Sequence, residues 1–179
     1  MADALRVVIL CEDRRTERLL RALCDRYSVR VVDVDDAPEG RGAASAYVVR
    51  RYAGSVKKLR SKSFQRNLGL VVATDGDNVG SRSRSDALAA ELEPPRTEKE
   101  PIAILVPTWS VEPWLAALNG IEGVVETRSL KEDPDCRKMW ADGATERATF
   151  RRAADAWRSA PSPLPALAAA YEEATRVGL

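Results

Sequence analysis

The sequence predicts an α/β fold in which a mostly parallel sheet is covered by helices on both faces. Apolar runs of strand length alternate with segments of helical spacing, an order that requires parallel strands joined by crossover helices. The clearest run, residues 68–73, is apolar throughout, as expected for a strand buried on both faces. It is followed at once by two carboxylates, Asp75 and Asp77, with one glycine between them.

Composition limits the chemistry available to the chain. Its 179 residues carry 28 basic and 27 acidic side chains, so net charge indicates no partner, and the length suits one domain with an appendage. The absence of histidine excludes His-based triads and directs any catalysis toward carboxylates, lysine or metal-bound water. The spacings of the three cysteines fit neither a disulfide framework nor a zinc site, so we expect Cys11 and Cys24 to be small buried residues.

The N-terminal residues lack the pattern of a secretory signal, and no apolar run approaches eighteen residues. We therefore expect a cytoplasmic protein with no membrane contact.

The first predicted strand covers residues 5–11. Its sequence, LRVVILC, is almost continuously apolar, as in a strand with both faces buried. Like the central run it ends in acids, here Glu12 and Asp13.

A helix is predicted over residues 14–27, because leucines recur there at helical spacing. Glu17 and Arg21 are placed to form an i, i+4 ion pair on its exposed side. Residues 29–34 suit a short strand, and prolines and glycines predict a loop over 35–44.

The second helix is predicted to start with Ser45 as its cap and to end near residue 63. Residues 41–74 contain no acid and eight arginines or lysines. A solvated helix face is the usual meaning of such charges, but the lack of compensating acids favours a phosphate-binding surface. The basic positions that we assign to it are Arg51, Lys57, Lys58 and Lys62.

After the central strand, residues 78–85 supply Arg82 and Arg84 in a segment rich in hydroxyls, before a helix predicted over 86–92. Residues 102–106 predict the fourth strand. A short helix follows over 111–118, with Ser110 as its cap and Asn119-Gly120 as its stop.

Three of the predicted strands end near carboxylates. These are Glu12 after the first strand, Asp75 and Asp77 after the third, and Glu112 after the fourth. Because the carboxyl ends of parallel strands lie along one rim, these acids are expected to converge. Two acids at i and i+2 repel one another unless a proton or cation lies between them, which favours a hard-metal site. An ordinary Asp-Gly turn is the other interpretation of that motif.

The sequence resembles the TOPRIM domain, the Rossmann-like catalytic fold of topoisomerases, bacterial primases and OLD-type nucleases. The family places a glutamate directly after its first strand and an Asp-x-Asp after its third, as at Glu12 and at Asp75-Gly76-Asp77. Residues 106–115 (VPTWSVEPWL) are similar to a stretch of small stand-alone bacterial TOPRIM-like proteins. The resemblance covers roughly residues 4–120, and it departs from the family at Asp13, where glycine is common.

The resemblance implies a Mg²⁺- or Mn²⁺-dependent nuclease acting on DNA or RNA, in a setting such as bacterial defence or repair. Asp75 and Asp77 would hold the metal, and Glu12 would be a general acid or base or complete the metal shell. Glu112 is read equally as a metal ligand and as a capping residue. The candidate nucleic-acid-binding residues are Arg14, Arg15, Arg51, Lys57, Lys58, Lys62, Arg82 and Arg84.

Two other functions fit parts of the sequence. One is a TOPRIM-fold subunit, weakly active or inactive alone, that works with an ATPase or other protein partner; a homodimer is a further expectation. The other is a response-regulator-like receiver domain, because the first strand and its acid pair also suit that family. The receiver requires an aspartate some forty residues later, and none lies between Glu39 and Asp75.

The remaining residues, 121–179, are predicted to form a helical extension beyond a core at 1–120. The expected elements are an edge strand at 121–125, a charged turn at 131–135, a helix at 145–159, a proline-rich linker at 159–165 and a helix at 167–177. The four tryptophans are expected to anchor the core or an interface rather than to stack on bases.

Overall fold

The computed structural model of the chain describes residues 4–38, 44–65, 67–159, 162 and 164–179. Strands and helices alternate as far as residue 118 and the elements beyond it are helical, which confirms the predicted α/β class. The elements are β1 (Arg6–Cys11), α1 (Arg14–Arg26), β2 (Arg30–Asp36), α2 (Ala44–Ser61), β3 (Leu68–Ala73), α3 (Gly80–Ala90), β4 (Ile102–Leu105), α4 (Glu112–Leu118), α5 (Pro134–Lys138), α6 (Gly143–Ala156), α7 (Pro165–Ala174) and a terminal 3-10 turn (Thr175–Val177).

The four strands form one sheet in the order β2-β1-β3-β4, and every neighbouring pair is parallel. The register aligns Cys11 at the end of β1 with Ala73 at the end of β3, and Ala73 with Leu105 at the end of β4. The residues that follow these strands therefore emerge side by side at one edge of the sheet.

Both faces of the sheet are covered by apolar side chains. Alternating residues of β3 point to opposite faces, so Val71 and Ala73 join one core while Leu70 and Val72 join the other. The first core includes side chains of α1, α4, α6 and α7, and the second includes side chains of α2 and α3. All six residues of β3 are buried, as expected for a central parallel strand.

Buried apolar side chains of the described residues between 130 and 179 belong to the first core, together with side chains of β1 and α1. Helix α7 covers the free edge of β4, where the Glu173 carboxylate accepts a hydrogen bond from the backbone N–H of Ile104 at 3.0 Å. Arg96 donates to the Ile102 carbonyl at 2.8 Å and to the same carboxylate, so this edge has polar partners on both its donor and its acceptor side. Residues on both sides of position 120 share the first core. The predicted domain boundary there stays a prediction.

Several smaller expectations are confirmed. Cys11 and Cys24 are free and buried, and Glu17 pairs with Arg21 at 2.6 Å. Trp114 and Trp157 are both 2% exposed and belong to the first core. Within the described residues, no helix combines the length and the apolar character needed to cross a membrane.

The start of α3 and the end of β2 differ from the sequence-based expectation. Helix α3 begins at Gly80 rather than at residue 86, and residues 35 and 36 extend β2 rather than open the loop. In this longer α3, the Arg84 guanidinium donates to the Asp75 carbonyl at 3.1 Å, which anchors the N-terminal half of the helix on the segment after β3. Contacts of this kind override the weak helix propensity of glycine and serine.

Other local predictions were wrong. Residues 121–125 form turns rather than an edge strand, and the charged segment near residue 134 contains the short helix α5. Neither proposed cap holds: Ser45 lies inside α2, and α4 begins after Val111 with no side-chain cap. Helix α6 ends at 156 rather than 159, whereas α7 ends at 174 and continues as the 3-10 turn to the expected residue 177. The linker residues 160, 161 and 163 lie outside the described residues.

Candidate active site

The ends of β1 and β3 bring Glu12 and Asp75 together. Since Cys11 is aligned with Ala73, the next residues of the two strands are neighbours across the ladder. The Glu12 carboxylate reaches across it: Oε2 accepts hydrogen bonds from the Thr74 hydroxyl at 2.8 Å and from the Asp75 backbone N–H at 2.9 Å. The expected convergence of these two acids is therefore confirmed, while their chemical roles stay predictions.

Asp75 is a buried carboxylate with an unusual electrostatic environment. It is 7% exposed, and its Oδ1 atom has no hydrogen-bond partner within the described part of the chain. Burial and the nearby charge of Glu12 raise its pKa from 3.8 to about 9, with further contributions from Asp13, Glu112 and Asp77. Without a cation, burial and the neighbouring acids therefore favour the protonated form of Asp75.

The pKa of Glu12 is also raised, chiefly because the carboxylate is partly buried. Its hydrogen bonds from Asp75 and Thr74 favour the ionised form and oppose this shift, whereas Asp77 and Asp13 add to it. Glu12 is thus a carboxylate whose proton affinity is increased while its position is fixed by two donors.

The loop carrying Asp77 is docked on the segment that follows β4. The backbone N–H groups of Gly76 and Asp77 donate to the carbonyls of Pro107 at 3.0 Å and Trp109 at 2.8 Å. A Cβ atom at Gly76 would lie 2.4 Å from the Thr108 carbonyl oxygen and 2.6 Å from that of Pro107, so only glycine fits there. Asp77 takes a left-handed φ of 48°, a conformation that aspartate tolerates better than most residues.

Arg84 lies against the same acidic loop. Its side chain is 15% exposed, and besides bonding the Asp75 carbonyl it places Nη2 3.7 Å from Asp77 Oδ2. The residue predicted to contact nucleic acid thus neutralises one of the candidate metal ligands instead of extending into solvent. Asp77 itself remains about half exposed.

Glu112 opens α4 and is held by the first helix. Arg15 donates from Nη1 to its Oε1 at 2.7 Å, and the same guanidinium lies 4.2 Å from the centre of the Trp140 ring. Burial opposes ionisation of Glu112, but the nearby Ser110 side chain, its own backbone N–H and the hydrogen-bonded Arg15 favour the ionised form, so the pKa of Glu112 is lowered. Glu112 is therefore a paired, ionised carboxylate.

Asp13, the position that departs from the TOPRIM pattern, has a local structural role. Its carboxylate accepts a hydrogen bond from the Thr16 backbone N–H at 2.8 Å and caps α1. An acid at this position stabilises the helix that begins directly after Glu12, which the sequence motif alone did not indicate.

The side chains around Asp75 suit a divalent cation of the Mg²⁺ or Mn²⁺ type. Among the described residues, no group of three or more acidic or cysteine side chains is close enough together to hold a metal ion. Magnesium commonly binds through one or two carboxylates and completes its shell with water and substrate phosphates. The unpartnered Asp75 Oδ1 and the neighbouring Glu12 meet that requirement, with Asp77 adjacent.

Comparison of the chain with protein-family models, curated proteins and solved structures finds no match. The resemblance to TOPRIM domains therefore rests on the motifs and on the geometry described above.

The basic surface predicted on α2 is partly compensated by acids from elsewhere. Arg51 makes two hydrogen bonds to the Asp35 carboxylate, at 2.9 and 2.8 Å, and Arg60 pairs with Glu100 at 2.6 Å. The argument from missing acids was wrong for these arginines, because the acids lie outside the 41–74 window. Lys57, Lys58, Lys62 and Arg82 are exposed and, in the described part of the chain, form no ion pair.

Sequence reasoning missed Glu126, a buried carboxylate in the loop between α4 and α5. It accepts hydrogen bonds from Trp114 Nε1 at 2.9 Å and from the backbone N–H groups of Ala166 and Leu167 at 3.0 and 3.2 Å, at the start of α7. It also accepts from the Thr108 hydroxyl at 3.2 Å, beside the carbonyl that contacts Gly76. No local pattern marks this role, because its partners lie 12 to 41 residues away.

Proposed function

We propose that the chain is a TOPRIM-type nuclease that hydrolyses phosphodiester bonds of DNA or RNA with Mg²⁺ or Mn²⁺. The single observation that carries the proposal is the junction of Glu12 and Asp75 at the carboxyl ends of β1 and β3. A buried, unpartnered carboxylate oxygen beside a second carboxylate costs free energy unless a proton or cation offsets it. The position of this arrangement at the edge of a parallel sheet where ligands commonly bind supports a functional site.

Each residue has a defined task in this proposal. Asp75 and Asp77 would hold the cation, with Glu12 beside them. The bound cation would neutralise charge that develops on the phosphate under attack. Glu12 moves a proton, because its raised pKa brings it closer to neutral pH and its position is fixed by Thr74 and Asp75. Arg15 holds Glu112 in its ionised form at the rim.

One observation favours the second candidate, a TOPRIM-fold subunit that needs a partner such as an ATPase for activity. Arg84 lies near Asp77, and Arg15 pairs with Glu112, so two of the four predicted acids already have cationic partners. Activation would then require displacement of Arg84 from the acidic loop.

The receiver-domain alternative has less support. The strand order β2-β1-β3-β4 suits such a domain, and Asp75 follows β3. However, a receiver also needs a lysine after its last strand, and residues 106–114 (VPTWSVEPW), which follow β4, contain none.

The decisive experiment is a cleavage assay on DNA and RNA with Mg²⁺, Mn²⁺ or EDTA. We expect Glu12→Gln and Asp75→Asn each to reduce cleavage by about a hundredfold or more, the usual effect of removing a general acid or base or a metal ligand. Glu17→Gln is the matched control, since Glu17 is an acid of the adjacent helix that pairs with Arg21. Equal cleavage by wild type and all three variants, unaffected by EDTA, would overturn the proposed nuclease function.

A further inference from the structure

A groove lies between α1 and α6, outside the carboxylate cluster and on a surface that the sequence patterns did not single out. Its volume is about 760 Å³, and five arginines line it. They are Arg18, Arg21 and Arg26 on α1 and Arg147 and Arg151 on α6. Three carboxylates also line it, so positive charge is in excess.

The groove leads away from the candidate active site. Arg15 stacks on Trp140 beside Glu112, Arg18 pairs with Glu146, and Arg26 pairs with Asp155 at 2.9 Å. The residue numbers of the paired side chains increase in the same direction on both helices, so α1 and α6 run parallel. Both helices begin near the sheet edge that carries Glu12, Asp75 and Glu112. The lining residues span positions 143–155 of α6 and 18–26 of α1, which gives the groove a length of roughly 13 to 20 Å.

The arginines differ in how strongly they are engaged. Arg18, Arg21 and Arg26 form exposed ion pairs, which contribute little to stability and are readily exchanged for phosphate. Arg147 and Arg151 are exposed and, within the described residues, form no ion pair. They lie four residues apart, on one face of α6, where two guanidinium groups can bind successive anionic groups.

We propose that the α1–α6 groove binds the phosphate backbone of a nucleic-acid strand and guides it to the rim that carries Glu12 and Asp75. Guanidinium groups suit this ligand because their planar donors match phosphate oxygens in pairs. This proposal rests on the proposed nuclease function, because that function makes nucleic acid the ligand. It adds a path by which the nucleic acid reaches the candidate active site.

The test is the affinity of the full chain for labelled single-stranded DNA and RNA of about 16 nucleotides, measured in EDTA at several salt concentrations. The variant Arg147→Glu, Arg151→Glu is compared with Arg128→Glu, Lys131→Glu, which changes charge equally at two exposed residues that do not line the groove. We expect the groove variant to bind about tenfold more weakly, with a log–log salt slope shallower by about 1.4, and the control to match wild type.

Each alternative outcome has a clear meaning. Equal affinity and salt slope in all three proteins, or no binding by wild type, would overturn the proposal that the groove binds nucleic acid. The nuclease function is tested separately, by the cleavage assay of Glu12→Gln. Poly-glutamate that binds the groove as tightly as the oligonucleotides, and competes with them, would assign it to an acidic protein partner instead. Thermal melting of both variants checks that the fold is retained.

Discussion

The Glu12 carboxylate accepts a hydrogen bond from the backbone N–H of Asp75 at 2.9 Å, across the junction of two parallel strands. This contact fixes one acid beside the buried, unpartnered carboxylate oxygen of the other. The free energy of the pair therefore depends on whether a proton or a cation is present, and the first two predictions use this dependence.

Asp75 should make the stability of the metal-free protein depend on pH. Its folded pKa of about 9 exceeds its ordinary value of 3.8, so the folded state binds the extra proton. This contribution is fully present below about pH 4 and is lost as the pH rises toward 9. We expect wild type to lose up to about 1.4 kcal/mol per pH unit relative to Asp75→Asn in this window. Urea unfolding in EDTA at several pH values measures it, and parallel curves would contradict the raised pKa.

Divalent cations should stabilise the wild type by mass action. At a hundredfold excess over Kd, Mn²⁺ or Mg²⁺ should raise the melting temperature by about 5–10 °C. The shift should be larger at pH 8 than at pH 5.5, since Asp75 must release its proton to bind a cation. Asp75→Asn, Asp77→Asn should abolish it.

The matched control for this metal response is Glu91→Gln, Glu93→Gln, which removes two exposed acids at the same spacing. It should respond to Mn²⁺ and Mg²⁺ as wild type does. A metal response that survives in the Asp75→Asn, Asp77→Asn variant would place the cation elsewhere.

Gly76 should not tolerate a side chain. Its Cβ would meet backbone oxygens at 2.4 and 2.6 Å, so Gly76→Ala forces the acidic loop away from the segment after β4. We expect a loss of about 1–3 kcal/mol in unfolding free energy by urea denaturation, and a weaker metal response. Gly54→Ala is the control: the space around Gly54 in α2 is open, and alanine there should stabilise by up to about 1 kcal/mol.

Glu126 should be needed for stability rather than for chemistry. Glu126→Gln replaces one acceptor oxygen by a donor, so buried N–H groups at Trp114 or at the start of α7 lose their partner. We expect a loss of about 2 kcal/mol or more in urea unfolding, while Glu122→Gln, on the exposed part of the same loop, stays near wild type. Equal stability of the two variants would remove the structural role of Glu126.

The lysines of α2 offer a second basic surface. Changing Lys57, Lys58 and Lys62 together to Glu should weaken nucleic-acid binding and flatten its salt dependence, because all three are exposed. Arg51 is left unchanged, since its reversal would also break the pair with Asp35. Unchanged affinity at low salt would make these lysines an ordinary solvated face.

Strand positions and the acids that follow them could be predicted from sequence because both are local properties. A continuous apolar run is sufficient to indicate a buried strand, and a parallel sheet places the acids after its strands along one edge. That Glu12 lies directly beside Asp75 follows from the pairing of β1 with β3, which the tertiary structure supplies. Local spacing also predicted the Glu17–Arg21 pair, because that spacing is fixed by the helix.

The tertiary structure alone decided which charges are paired. Arg15 meets Glu112 across 97 positions, and Arg51 meets Asp35 on another element. Arg84, in the N-terminal half of α3, likewise docks on the Asp75 carbonyl. Such contacts depend on how helices are seated on the sheet, which local periodicity does not specify. The sequence by itself therefore determined where the carboxylates lie, whereas packing of the helices determined which of them are neutralised and which, like Asp75, keep an oxygen unpartnered.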